Sequence, residues 1–186
     1  MGGISLKTLN EKICKMFPYI SDILSYEKYQ QLKKFNHHWE FSIFEHCVNV
    51  AYYSYILAKK LKLDYVSTVR GGMLHDFFLY DWKTYSPKEG VHGKVHPQIA
   101  YNNAIEKFEL NDKEKDIILN HMFPVTNKAP RCLESWIVCI VDTLCATKEI
   151  LDAVYLALKL KIINGKKRVC VQQFIYSFLY IFLIIK

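Results

Sequence analysis

Glycine and proline are scarce in this sequence, seven and five among 186 residues, and alternating runs rich in Val and Thr are scarcer still. A β-sandwich or barrel needs frequent turns, so both architectures are disfavoured. The six cysteines (Cys14, Cys47, Cys132, Cys139, Cys145 and Cys170) include no CxxC pair. They read as small core residues in a reducing compartment, not as a disulfide framework. The opening MGGISLKTLNEKICKMF holds no apolar run of signal-peptide length. Leu6 stands where an N-myristoylation site wants Ser or Thr. No P-loop, GxSxG elbow or GxGxxG occurs, which excludes triphosphate motors, serine hydrolases and dinucleotide enzymes. A cytoplasmic protein is expected.

Apolar residues make up 51% and charged residues 23%, a globular balance at the size of one domain. The net charge of +7 suits an anionic partner such as a phosphoester, a nucleic acid or an acidic membrane. The positive charge is dispersed, and no helix shows a strong basic face beyond Lys166-Lys167-Arg168. Specific nucleic-acid binding is therefore not expected.

Helical spacing dominates the pattern. Leu6, Leu9, Ile13, Met16 and Phe17 predict a first helix that Pro18 stops. A second pattern runs from about Ser21 to Phe35. A third covers Ser42 to Leu61, with Val50, Leu57 and Leu61 on one stripe, and a fourth Tyr65 to His75. The fifth opens at His96-Pro97, because proline suits the first helical position. Asn111 and Glu114 form a capping box for a sixth helix ending near His121. A long apolar pattern follows from Leu133 towards Leu160, closed by Asn164-Gly165. An all-α helical bundle is the economical reading.

Residues 166–186 differ. Lys166, Lys167 and Arg168 precede a run, 169–185, that is almost wholly apolar apart from Gln172, Gln173 and Ser177. It reads as a buried terminal helix covering the bundle or as a membrane-anchoring tail. Its length sits at the short limit for a span and two glutamines are costly in lipid, which favours the first. The expected division is N-terminal helices over 1–36, a central domain over 37–165 and this segment over 166–186.

All seven histidines lie between His37 and His121. His46, His75-Asp76, His96, His121 and Asp142 are each about one helix and one turn apart, so each falls on a different helix. Side chains from facing helices converge on a bundle core, where such folds build metal sites. Imidazole and carboxylate donors suit zinc, iron or manganese, and an adjacent His-Asp lets one carboxylate bridge two ions. Asp142 interrupts the apolar run Trp136 to Val141; a carboxylate there needs a cation or several donors.

Five segments in order carry a resemblance: EHCVNVA around His46, MLHDFF around His75-Asp76, HPQIAYNNA at His96, ILNHMFP at His121 and IVCIVDTLCATKE at Asp142. Together they resemble the motifs of the HD superfamily, metal-dependent phosphohydrolases with an all-helical fold. The resemblance implies that His46, His75, Asp76 and Asp142 hold one divalent transition metal ion. Asp76 would bridge to a second ion held by His96 and His121. The run at His96 is also similar to the HD-GYP branch, but the HHE and GYP signatures are absent, which speaks against cyclic di-GMP hydrolysis.

The reaction this resemblance implies is hydrolysis of a small phosphoester or phosphoanhydride, of nucleotide-like size. A diiron oxygenase of the same fold is the alternative, and a non-catalytic metal-binding module a third. His92, Arg70 and Lys128 are candidate substrate contacts, and Lys83 and Arg131 flank the site in sequence. Gly93 and Pro97 argue against one helix joining His92 to His96. His37 and His38 are expected at a surface or cap, and Asp81 in a capping role.

Overall fold

The computed structural model describes residues 5–163, except 38–40, 86 and 89. The helices are α1 (Leu6–Ser25), α2 (Glu27–Gln30), a 3-10 turn (Gln31–Lys34), α3 (Ile43–Lys60), α4 (Tyr65–Leu74), α5 (His92–Ile105), α6 (Asp112–Asn120) and α7 (Leu133–Ile163). Extended pairing among the described residues is an isolated antiparallel bridge between Asn36 and Ser42. The fold is all-α.

Local signals explain several of these boundaries. α3 opens on a capping box in which Glu45 N–H donates to Ser42 Oγ and Ser42 N–H to Glu45 Oε2. Asn111 and Glu114 form the same device at α6, as the sequence predicts. Asp64 caps α4 by accepting from Ser67 N–H.

Two prolines behave otherwise than expected. α1 runs straight through Pro18 instead of stopping there. Leu9, Met16, Ile20 and Ile23 are buried along one stripe that stays in phase across the proline. Their packing offsets the roughly 3 kcal/mol that an interior proline costs. The expected second helix is then split between the end of α1, α2 and the 3-10 turn. α5 likewise begins at His92 and carries Pro97 within it, so His92 and His96 share a face one turn apart.

α4 is the central strut. It packs against α1, α3, α6 and α7, and Val69, Met73 and Leu74 are fully buried. Gly71 and Gly72 permit this closeness. A Cβ on Gly72 would lie 2.9 Å from Ala51 Cα of α3, and one on Gly71 2.7 Å from Ile117 Cδ1 of α6. Enclosed by α1, α4 and α7, α3 buries Ile43, Phe44, Cys47, Val48, Val50 and Ala51. Leu57 and Leu61, expected on the buried stripe with Val50, are exposed.

Cys47, Cys139 and Cys145 are buried and unbridged, whereas Cys14 is exposed, contrary to the expected core role. No helix among the described residues is long and apolar enough to cross a membrane. The segment 166–186, Cys170 and the closing Asn164-Gly165 lie outside the described residues.

Candidate metal centre

Five helices deliver one side chain or pair each to a common point. His46 is one turn into α3, and His75 caps the C-terminus of α4 with Asp76 next to it. His96 comes from α5, His121 from the end of α6 and Asp142 from α7. His46 and His75 are fully buried, and Asp76, His96 and His121 nearly so. All six expected residues are thus brought together.

Their hydrogen bonds fix which nitrogen faces inward. His75 Nδ1 lies 2.8 Å from Gly72 O, His96 Nδ1 2.9 Å from His92 O and His121 Nδ1 2.9 Å from Ile118 O. A carbonyl oxygen only accepts, so each Nδ1 carries a proton, and in the neutral ring each Nε2 presents a lone pair. His46 Nδ1 faces Glu149 Oε1 at 2.9 Å, and the same reasoning holds.

These lone pairs converge on acceptors. His96 Nε2 and His121 Nε2 are 2.9 Å apart, and His46 Nε2 is 2.9 Å from Asp142 Oδ1. Asp76 Oδ1 lies 3.1 Å from His96 Nε2 and 3.5 Å from His121 Nε2. Asp76 Oδ2 lies 3.6 Å from His75 Nε2 and 3.9 Å from His46 Nε2. The two oxygens of Asp76 therefore face two different histidine sets. Among the described residues, buried His75 Nε2 and Asp76 Oδ1 have no aligned hydrogen-bond partner despite these short distances. With these rings neutral, lone pair faces lone pair, a repulsion that a bound divalent cation would relieve. The donor set fits a divalent metal: N and O atoms, with tautomers locked from behind as metal-binding histidines require. His46, His75 and Asp142 form one compact group of ligand atoms, and His75, Asp76 and His121 another.

Without an ion, the neighbouring carboxylates favour protonation of two of these rings. Burial alone would raise Asp76 and Asp142, but the surrounding imidazoles hold both well below the usual carboxylate range. Burial opposes charge on His46, yet Glu149 and Asp142 reverse this and hold it well above the ordinary imidazole value. His75 is raised in the same way against its burial, chiefly by Asp76. Burial lowers His121.

Two participants went unnoticed in the sequence. His37, expected at a surface or cap, places Nε2 3.6 Å from Asp76 Oδ2 and stacks on His46 with ring centroids 3.7 Å apart. Glu149 accepts from both His37 Nδ1 and His46 Nδ1, each at 2.9 Å. Glu149 follows Asp142 by two helical turns and so shares its face, a signal present in the sequence. His37 precedes α3 and has no such periodicity. His38 lies outside the described residues.

The expected substrate contacts fall into two groups. His92 adjoins the cluster: its ring stacks on His96 at 4.5 Å and on Trp82 at 5.3 Å, and Nδ1 bonds the Tyr80 hydroxyl at 2.8 Å. Burial, with His96 beside it, pushes His92 down to about 3. Arg70 is instead committed to Asp22 and Glu114 and to Tyr19 O, a strap between α1, α4 and α6. Arg131 clamps Asp116. Lys128 is exposed on the loop after His121, and Lys83 is exposed against the Trp82 ring. Asp81 accepts from Lys83 N–H and caps its own turn.

Neither the curated proteins nor the solved structures yield a match to this chain. The sequence model of one family, described as HD domain, matches residues 43–147. That span is more than half of the chain and contains His46, His75, Asp76, His96, His121 and Asp142. Such domains are commonly metal-dependent phosphohydrolases. On this match, over the same residues that form the buried cluster, the chain belongs to the HD domain family.

Proposed function

We propose that the protein hydrolyses a small phosphoester or phosphoanhydride, of nucleotide-like size, at a two-ion centre. His46, His75, Asp76 and Asp142 would hold one divalent transition ion (Mn, Fe or Zn), and Asp76, His96 and His121 the other. The observation that carries this reading is the inward set of Nε2 lone pairs around the two oxygens of Asp76. When bound, such ions acidify water and neutralise charge on phosphoryl oxygens. The side chains do the rest. Gly72 O, His92 O and Ile118 O hold three imidazoles in one tautomer. Asp76 keeps the two ligand sets in register, and the buried walls exclude bulk water. His92, beside His96, is proposed to face the substrate, with Lys128 reaching its phosphate from the exposed loop. Arg70 has no part in this.

The functional unit is proposed to run over 37–165, past the matched span; the bonds of His37 and Glu149 into the cluster support the extension as far as Glu149. The test uses protein loaded with Mn²⁺ or Zn²⁺ and a generic phosphodiester, with oxygen uptake followed in parallel. Metal-dependent release of product, abolished by His75→Ala with Asp76→Ala, is the expected result. Unchanged hydrolysis in that double variant would overturn the reading, as would oxygen uptake without hydrolysis.

A further inference from the structure

His37 and Glu149 stand outside the ligand sets assigned to the two ions, yet the geometry ties them tightly to the centre. A carboxylate offers only acceptors. Glu149 spends one oxygen on His46 Nδ1 and the other on His37 Nδ1, both at 2.9 Å. Both imidazoles must then carry their proton on Nδ1 and turn a lone pair inward from Nε2. The rings are stacked at 3.7 Å and 24°, so the two Nε2 atoms look the same way, at Asp76 Oδ2, 3.6 Å and 3.9 Å off. Ligand atoms of His37, His46 and Asp76 all lie within 4.8 Å of one another. Donors held about 2.0–2.2 Å from a tetrahedral ion stand about 3.3–3.6 Å apart, and stacked rings present parallel lone pairs, so the His37 ring must turn out of the stack on His46 for both to reach one ion. The backbone around His37 is pinned as well: its N–H donates to Phe41 O at 2.8 Å, and its carbonyl accepts from Trp82 Nε1 at 3.2 Å.

We propose that His37 is a further nitrogen ligand on the His46 side of Asp76, and that Glu149 is the positioning residue that holds His37 and His46 in the ligating tautomer. The inference rests on the two-ion reading of the centre. It assigns a role to a carboxylate two turns beyond Asp142 and to a histidine ahead of α3, both outside the span that the family match covers.

Glu149→Gln sharpens the test. An amide offers one acceptor and one donor, so it can hold only one of the two imidazoles with the proton on Nδ1. The other is forced to place its proton on Nε2 and can no longer ligate. Purified full-length protein is loaded with Co²⁺ as a spectroscopic stand-in, and affinity is read by chelator competition. His37→Ala and Glu149→Gln should each weaken Co²⁺ binding by about 10–100-fold and change the visible d–d bands. The double variant should be no weaker than the poorer single, because without His37 the amide oxygen is free to hold His46 and only one ligand is lost. His37→Phe keeps the stack on His46 and cannot ligate, so it carries the comparison if His37→Ala fails to fold. His75→Ala separates the two readings. If it leaves Co²⁺ affinity intact, the metal centre itself is misread. If it abolishes binding while the His37 and Glu149 variants keep wild-type affinity and spectrum, only the role of His37 and Glu149 falls.

Discussion

Replacing Gly72 with alanine tests how closely α3 and α4 must approach to assemble the cluster. Within a helix the change alone should stabilise by about 1 kcal/mol. Here the new Cβ would sit 2.9 Å from Ala51 Cα and 3.3 Å from both Ala51 N and Cβ. Ordinary carbon contacts lie at about 3.5–4.0 Å, so the helices must part by roughly 0.5–1 Å. The obstruction is backbone, which cannot rotate away, and overpacking of this kind costs about 1–3 kcal/mol. The clash wins. The net loss of up to about 2 kcal/mol corresponds to a melting temperature lower by up to roughly 8 °C for a chain of this size.

The site should suffer more than the fold. Ala51 is on the helix that carries His46, and Gly72 is one turn before His75, whose ring centroid lies 5.4 Å from that of His46. Ligation tolerates about 0.2 Å, so Mn²⁺ affinity in Gly72→Ala should fall at least about tenfold. Gly93→Ala is the control, since its Cβ would meet Val125 Cγ1 at an ordinary 3.5 Å; it should melt within about 2 °C of wild type. The assay is a thermal melt with and without Mn²⁺. Gly72→Ala melting at or above the wild-type temperature, with unaltered metal affinity, would refute the reasoning.

Arg70→Ala should lower the melting temperature by roughly 5–10 °C, because it strands the buried Glu114 carboxylate. Metal affinity in that variant should stay within about twofold, well under the shift that a lost ligand produces; a selective loss of phosphate binding without destabilisation would restore Arg70 as a substrate contact. The pH dependence of metal-free protein is set by two opposed groups. His46 and His75 have raised values, so their contribution is complete below about 6.5 and is lost as pH rises through the folded values. His37, His92 and His121 have lowered values; the unfolded chain takes up their protons first, and stability falls as pH drops below about 6.5. Melting temperature should thus peak just above neutrality, with the alkaline limb removed by saturating Mn²⁺, and a curve flat across pH 5–9 (about two units either side) would contradict the directions assigned to these histidines. His92→Ala should raise KM for the phosphoester with little change in metal content, read by steady-state kinetics beside metal analysis; loss of metal instead would make His92 part of the ligand support.

Much of the site was legible because it is written in spacing. His46, His75-Asp76, His96, His121 and Asp142 recur at helix-and-turn intervals, and an acidic residue inside an apolar run announces a buried partner. The caps at Asn111-Glu114 are equally local. What escaped was decided by tertiary packing. Pro18 and Pro97 carry local penalties that the apolar faces of α1 and α5 outweigh. Leu57 and Leu61 keep helical phase with Val50, yet lie where no helix covers α3 among the described residues. Glu149 was in phase with Asp142 but reads as one more surface glutamate until α7 is laid against α3. His37 sits in irregular backbone, where no period points to it, and only the fold carries it onto His46.

The most direct measurement is metal content per chain of protein purified without added metal, by elemental analysis, beside His75→Ala and Asp76→Ala. The account predicts two equivalents of Mn, Fe or Zn in the wild type and at most one in either variant. One equivalent in the wild type would remove His96 and His121 from the centre, and none, with no uptake on addition, would contradict the account outright.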